Sequence, residues 1–104
     1  MGYTETLGVV AEIQAECARQ DIKWGEQNHP DGTGGALRVS AAGAAKYLTD
    51  SAARSGSVTW RHILIEECCE AYAETDPVKL RAELVQVAAV AVQWVEAIDR
   101  RAGA

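Results

Sequence analysis

The stretch WRHILIEECCEAYAETDPVKLRAELVQ, residues 60–86, reads as two helices broken once, at Asp76-Pro77. Asp is a favoured N-cap, and Pro suits the first helical position because its missing N–H would find no partner there anyway. Ser57 or Thr59 caps the first of these helices, which runs to about Glu74; the second reaches about Arg101. A link this short forces the two helices to lie antiparallel and adjacent. Five acids (Glu66, Glu67, Glu70, Glu74 and Asp76) crowd between Arg61 and Lys79 with no Lys or Arg among them. Glu66–Glu70 and Glu70–Glu74 are like-charge pairs at i,i+4, each weakening a helix by roughly a few tenths of a kcal/mol.

Helical geometry makes these acids unusual. At about 100° per residue, Glu67 projects within roughly 60° of Trp60, Ile63, Leu64 and Ala71, inside the apolar stripe. On the next helix Glu83 lies within about 40° of Val87, Val90 and Trp94. Ionised carboxylates are almost never fully buried unless they are paired or ligate a cation. Two consecutive helices thus each carry an acid on the packing face. A divalent cation between them is the sharper explanation, and a solvated acidic face the plainer one.

Working outward, 104 residues make one domain, residues 1–104. Apolar residues form 48% of the chain, there are two prolines and no Phe, and this balance favours an all-α fold. The expectation is a small helical bundle of about four helices, completed by homo-oligomerisation, since so many apolar positions exceed what one short chain covers. A net charge of −5 with scattered Lys and Arg argues against a nucleic-acid partner. The N-terminus MGYTETLGVV has no basic region or long apolar core, and residues 84–95 are too few to span a bilayer, so neither export nor a membrane is expected. Three cysteines, two of them adjacent, do not make a disulfide framework and fit a reducing cytoplasm. Cys17 and Cys68 read as small core residues. No CxxC or HxxxH spacing supports zinc.

Before the acidic helices, Thr4 is the expected cap of a first helix to about Lys23, with Leu7, Val10, Ile13 and Cys17 as its stripe. Glu12 and Glu16 read as solvated charges beside Arg19. A long loop follows over residues 23–36, rich in Gly, where no phosphate-cradling motif occurs. Trp24 could stack on a base or anchor the loop, and His29 reads as a turn residue. A second helix over residues 37–54 is dense in Ala, Gly43 permits a neighbour to approach, and Lys46 and Arg54 are candidate phosphate contacts. His62 reads as a boundary histidine. The literal ExxD at Glu96–Asp99 is rotated about 140° from Glu83 and reads as a solvated face paired with Arg100.

Glu66-Glu67-Cys68-Cys69-Glu70, then twelve residues, then Glu83-Leu84-Val85-Gln86, resembles the EExxE…ExxD signature of the MazG-like all-α nucleotide pyrophosphohydrolases. Trp60, Ile63-Leu64 and the later run VAAVAV agree with it, and Lys23-Trp24-Gly25 is similar to a short element after the first helix of such proteins. The resemblance implies Mg²⁺-dependent (Mn²⁺ possible) cleavage of a nucleoside triphosphate between its α- and β-phosphates, giving a monophosphate and pyrophosphate. It implies Glu67, Glu70 and Glu83 as metal ligands with Gln86 at the fourth position, and Glu66 as ligand or base. The catalytic set is then Glu66, Glu67 and Glu70, with Trp24, Lys46 and Arg54 against substrate, in a homodimer or homotetramer. The chain departs from the pattern at Gln86, which replaces a carboxylate with a neutral amide. The alternatives are a non-catalytic nucleotide-binding dimer with a degraded metal site, or a structural helical adaptor whose acids meet a basic partner.

Overall fold

The computed structural model describes residues 2–103 and is all-helical among them. Four helices follow in order: α1 Tyr3–Trp24, α2 Ala36–Arg54, α3 Trp60–Ala73 and α4 Pro77–Gly103. Residue contacts divide the chain into two compact units: one is Gly32–Ala91, and the other takes the chain up to Asp31 and from Val92 onward. Among the described residues no helix is long and apolar enough to cross a membrane.

The first unit holds α2, α3 and the start of α4. Small side chains make its core: Ala45 and Ala52 on α2, Ala71 on α3, with Leu80 on α4. Small residues let helix axes approach closely, and α2 and α3 do pack together. Thr49, buried on α2, satisfies its hydroxyl by donating to the His62 carbonyl at 3.1 Å. That bond sets the register: α2 and α3 run antiparallel with residue 49 level with residue 62. The turn between them closes through Ser57 N–H, which donates to Ala52 O at 2.8 Å, with Gly56 at φ 73°.

Thr59 is the cap of α3, one of the two residues expected from sequence. Its Oγ1 accepts from His62 N–H at 3.2 Å, and its own N–H donates to His62 Nδ1 at 3.0 Å, a reciprocal capping box. This fixes His62 as a capping residue at the helix boundary. At the other end, Glu74 Oε1 accepts from the N–H groups of Thr75 and Asp76 at 3.1 and 3.0 Å. Asp76 Oδ2 then caps α4 by accepting from Lys79 N–H at 3.1 Å. The Asp-Pro restart therefore works as its chemistry dictates, and it returns α4 alongside α3.

The glycine-rich segment ends against the same helix terminus. Gly34 N–H donates to Tyr72 O at 2.8 Å, and Arg38 Nη1 donates to Gly34 O at 3.0 Å. Gly34 is buried at φ 91°, with the Thr75 methyl where a Cβ would stand. Both the backbone angle and the close approach demand glycine there.

The second unit pairs α1 with the C-terminal part of α4 around Val9 and Val92. Three expectations fail in it. The cap of α1 is Gly2, and Thr4 lies inside the first turn. Cys17 is exposed: the Leu7–Ile13–Cys17 stripe has the period of a packing face, but among the described residues Leu7 and Ile13 also stay about half exposed. Glu96 is not on a solvated face. It is only 7% exposed and accepts from Thr6 Oγ1 at 3.0 Å, while Arg100 pairs with Glu5 at 3.8 Å. Rotation away from Glu83 put Glu96 against α1, which sequence periodicity could not reveal. Glu16 does behave as a surface charge, paired with Arg19 at 2.8 Å. On α2, Gly43 faces open space, so no neighbour uses the approach it offers.

Candidate metal centre

Glu67 and Glu70 come from α3 and Glu83 from α4, and one carboxylate oxygen of each lies within 4.8 Å of the others. The antiparallel return at Asp76-Pro77 makes this convergence possible. Residues 67 and 70 are one turn apart on α3, and Glu83 sits two turns into α4 at matching height. All three are half-buried. Oε2 of Glu67 and Oε2 of Glu83 are shielded from solvent and have no hydrogen-bond partner. A buried acceptor without a partner costs about 1–3 kcal/mol, more when charged.

The electrostatics point the same way. Burial first, then the charges of Glu83 and Glu66, push the Glu67 carboxyl above the usual carboxylate range. Glu70 is raised by burial, then by Glu67, Glu83 and Glu66, and by a hydrogen bond with Glu83. No basic side chain enters among these causes. The cluster is thus a pocket of mutually repelling acids that resists full ionisation on its own.

The donor set fits a hard divalent cation. It consists only of carboxylate oxygens, which suit Mg²⁺, Mn²⁺ or Ca²⁺. Oxygens on adjacent sides of an octahedral Mg²⁺ stand about 3 Å apart and on opposite sides about 4.2 Å, so three oxygens within 4.8 Å of one another must draw together by up to about 2 Å, within the reach of glutamate side-chain rotation. Cys68, next to Glu67, has its thiol pushed up chiefly by burial and so is poorly disposed to act as a thiolate ligand.

The other expected site residues divide sharply. Glu66 is half-buried beside the cluster, and its charge acts on Glu67, Glu70 and Lys46. Lys46 is exposed on α2 and brought to the cluster's edge. Its ammonium is held above its usual pKa by the ion pair with Asp50 at 3.3 Å, then by Glu66 and Glu70. Gln86 follows one turn after Glu83 and is exposed. Arg54 is the last residue of α2, about 12 Å along the helix from Lys46, so this helix does not carry both to one place. Trp24 belongs to the other unit, where it is 63% exposed with Lys23 Nζ 5.0 Å from its ring centroid. Asp50 was not singled out from sequence. Its signal was the i,i+4 spacing from Lys46, which marks the residue that pairs with that lysine beside the acids.

No protein-family model, no curated protein and no solved structure matches this chain.

Proposed function

We propose that the chain is a Mg²⁺-dependent nucleoside triphosphate pyrophosphohydrolase, active as a homo-oligomer, that releases a monophosphate and pyrophosphate. The observation that carries this is the convergence of Glu67, Glu70 and Glu83 with two shielded oxygens left unpartnered. The motif resemblance supplies the substrate class, and the all-oxygen donor set is the chemistry that substrate needs. When bound, the cation neutralises phosphate charge and acidifies a water.

The residues divide the remaining work. Glu67, Glu70 and Glu83 hold the cation. Glu66, beside them without being part of the triad, accepts the proton from the water that attacks the α-phosphorus. The bond from that phosphorus to the bridging oxygen breaks, and pyrophosphate leaves. Lys46 is exposed on α2, where the charges of Glu66 and Glu70 act on it, and on this reading its ammonium meets phosphate oxygens. Asp50 holds it there.

Gln86 favours a second reading. It is neutral and exposed where the motif carries a carboxylate, so a nucleotide-holding protein without turnover accounts for that position equally well. One experiment separates the two. Purified protein is incubated with a panel of ribo- and deoxynucleoside triphosphates and Mg²⁺ or Mn²⁺, and pyrophosphate is measured. Release from at least one nucleotide, abolished by Glu67→Gln, supports the enzyme. No release from any of them, by protein shown to be folded, overturns it.

A further inference from the structure

One acid of the cluster stands apart from the other three. Among the described residues Glu67, Glu70 and Glu83 converge as potential ligands, and Glu66 is not in their group. Two divalent cations in one site sit about 3.5–4 Å apart and repel, so each needs carboxylates of its own or shared between them. The position one turn after Glu83 would supply one, but Gln86 stands there, neutral and exposed. A second ion would be left with Glu66 and water.

A lysine lies level with Glu66. The hydrogen bond from Thr49 to the His62 carbonyl fixes α2 against antiparallel α3. From that bond Lys46 lies three residues back along α2, and Glu66 four residues on along α3. In an antiparallel pair both steps run the same way, by about 4.5 Å and about 6 Å, so the two residues are level to about 1.5 Å. The Lys46 ammonium is held charged first by Asp50, whose carboxylate is 3.3 Å from its Nζ, and then by Glu66 and Glu70.

We propose that the site takes one divalent cation per chain, at Glu67, Glu70 and Glu83, and that the Lys46 ammonium stands beside Glu66 in place of a second. This rests on the cation reading of the acidic cluster and concerns how many ions it takes, whichever way turnover falls. An ammonium suits the place. It is a compact point charge with three rotatable donors, and it needs no octahedron of oxygens around it. Mg²⁺ demands nearly six oxygens in fixed directions, which Glu66 with a neutral amide at position 86 does not provide. Asp50, one turn along α2 from Lys46, anchors the lysine without belonging to the group of three acids.

Titration of the full chain with Mn²⁺, the free ion read by electron paramagnetic resonance, tests it without any turnover. The unaltered chain is expected to bind one ion. Gln86→Asp is expected to stay at one, because the ammonium still excludes a second, and Lys46→Met with Gln86→Asp to take two. Lys46→Met alone is expected to bind its one ion about three- to tenfold more tightly, since a like charge has left its surroundings. Arg19→Met, which removes the same charge from α1, leaves the affinity unchanged. Lys46 and Gln86 are both exposed, so helical circular dichroism is expected to be the same in every variant. Two ions on the unaltered chain overturn the inference and leave the cation reading standing, whereas no ion on any of the folded chains overturns both. A double variant that still takes one ion, a Gln86→Asp chain that already takes two, or a Lys46→Met affinity no tighter than that of Arg19→Met overturns the part given to the lysine.

Discussion

Both units bury a carboxylate on α4, and they treat it in opposite ways. Glu96 is nearly sealed from solvent, but Thr6 donates to it and Arg100 with Glu5 supplies an ion pair nearby. Glu83 is less buried, yet one of its oxygens has no partner, and its neighbours are two further acids. The Thr6 hydroxyl offsets part of the cost of burying the first. The second is costly unless something positive enters it. The comparison teaches that burial alone does not set an acid apart; what distinguishes Glu83 from Glu96 is the absence of a compensating donor.

The largest expected contrast is in turnover. Glu67→Gln and Glu70→Gln each lower pyrophosphate release by about 100-fold or more, since the cation's charge stabilisation is worth several kcal/mol. Glu96→Gln leaves it unchanged. A Glu96 variant as inactive as the Glu67 variant, while still folded, would erase the distinction.

Stability in the presence of cation comes next. If the cluster holds Mg²⁺ as proposed, the ion at a hundred times its dissociation constant is expected to stabilise the fold by about 2.7 kcal/mol, and Glu67→Gln to remove that response in a thermal melt. Without cation the pH dependence has a definite sign. Glu67 and Glu70 have folded-state pKa values raised mainly by burial, so the native chain holds protons that the unfolded chain has already released. Their contribution to stability is complete below the ordinary carboxylate range and is lost as pH rises above it. Metal-free protein should therefore lose melting temperature as the pH rises from about 4.5 through the raised values, and Glu67→Gln should flatten that slope. A slope that survives in the variant would move its origin away from this cluster.

Removing the donor from Glu96 sharpens the comparison from the other side. Thr6→Val leaves a buried carboxylate unsatisfied and costs about 1–3 kcal/mol in denaturant unfolding, with no change in cation response. The smallest effect belongs to the exposed pair: Arg19→Ala is expected to leave the denaturant midpoint unchanged, because Glu16 and Arg19 are both in water.

Much of this was legible in residues 60–86. The Asp76-Pro77 restart, the Thr59 cap and the acids on two apolar stripes follow from local chemistry and helical period, and they led to the right three carboxylates meeting. The same period misled at Cys17 and Glu96. A stripe says which residues share a face, but whether that face meets another helix or water depends on partners far away in sequence. Lys46 and Arg54 look equivalent as basic residues on one helix, yet only Lys46 lies level with the acids.

The sequence by itself determined the four helices, the cap of α3, the start of α4 and the antiparallel return that aligns Glu67 and Glu70 with Glu83, because caps, proline and period act within a few residues. Only the tertiary structure decided which buried acid has a donor and which does not. That depends on what the other helices bring to within hydrogen-bonding distance: Thr6 to Glu96, and nothing to Oε2 of Glu67 or Glu83.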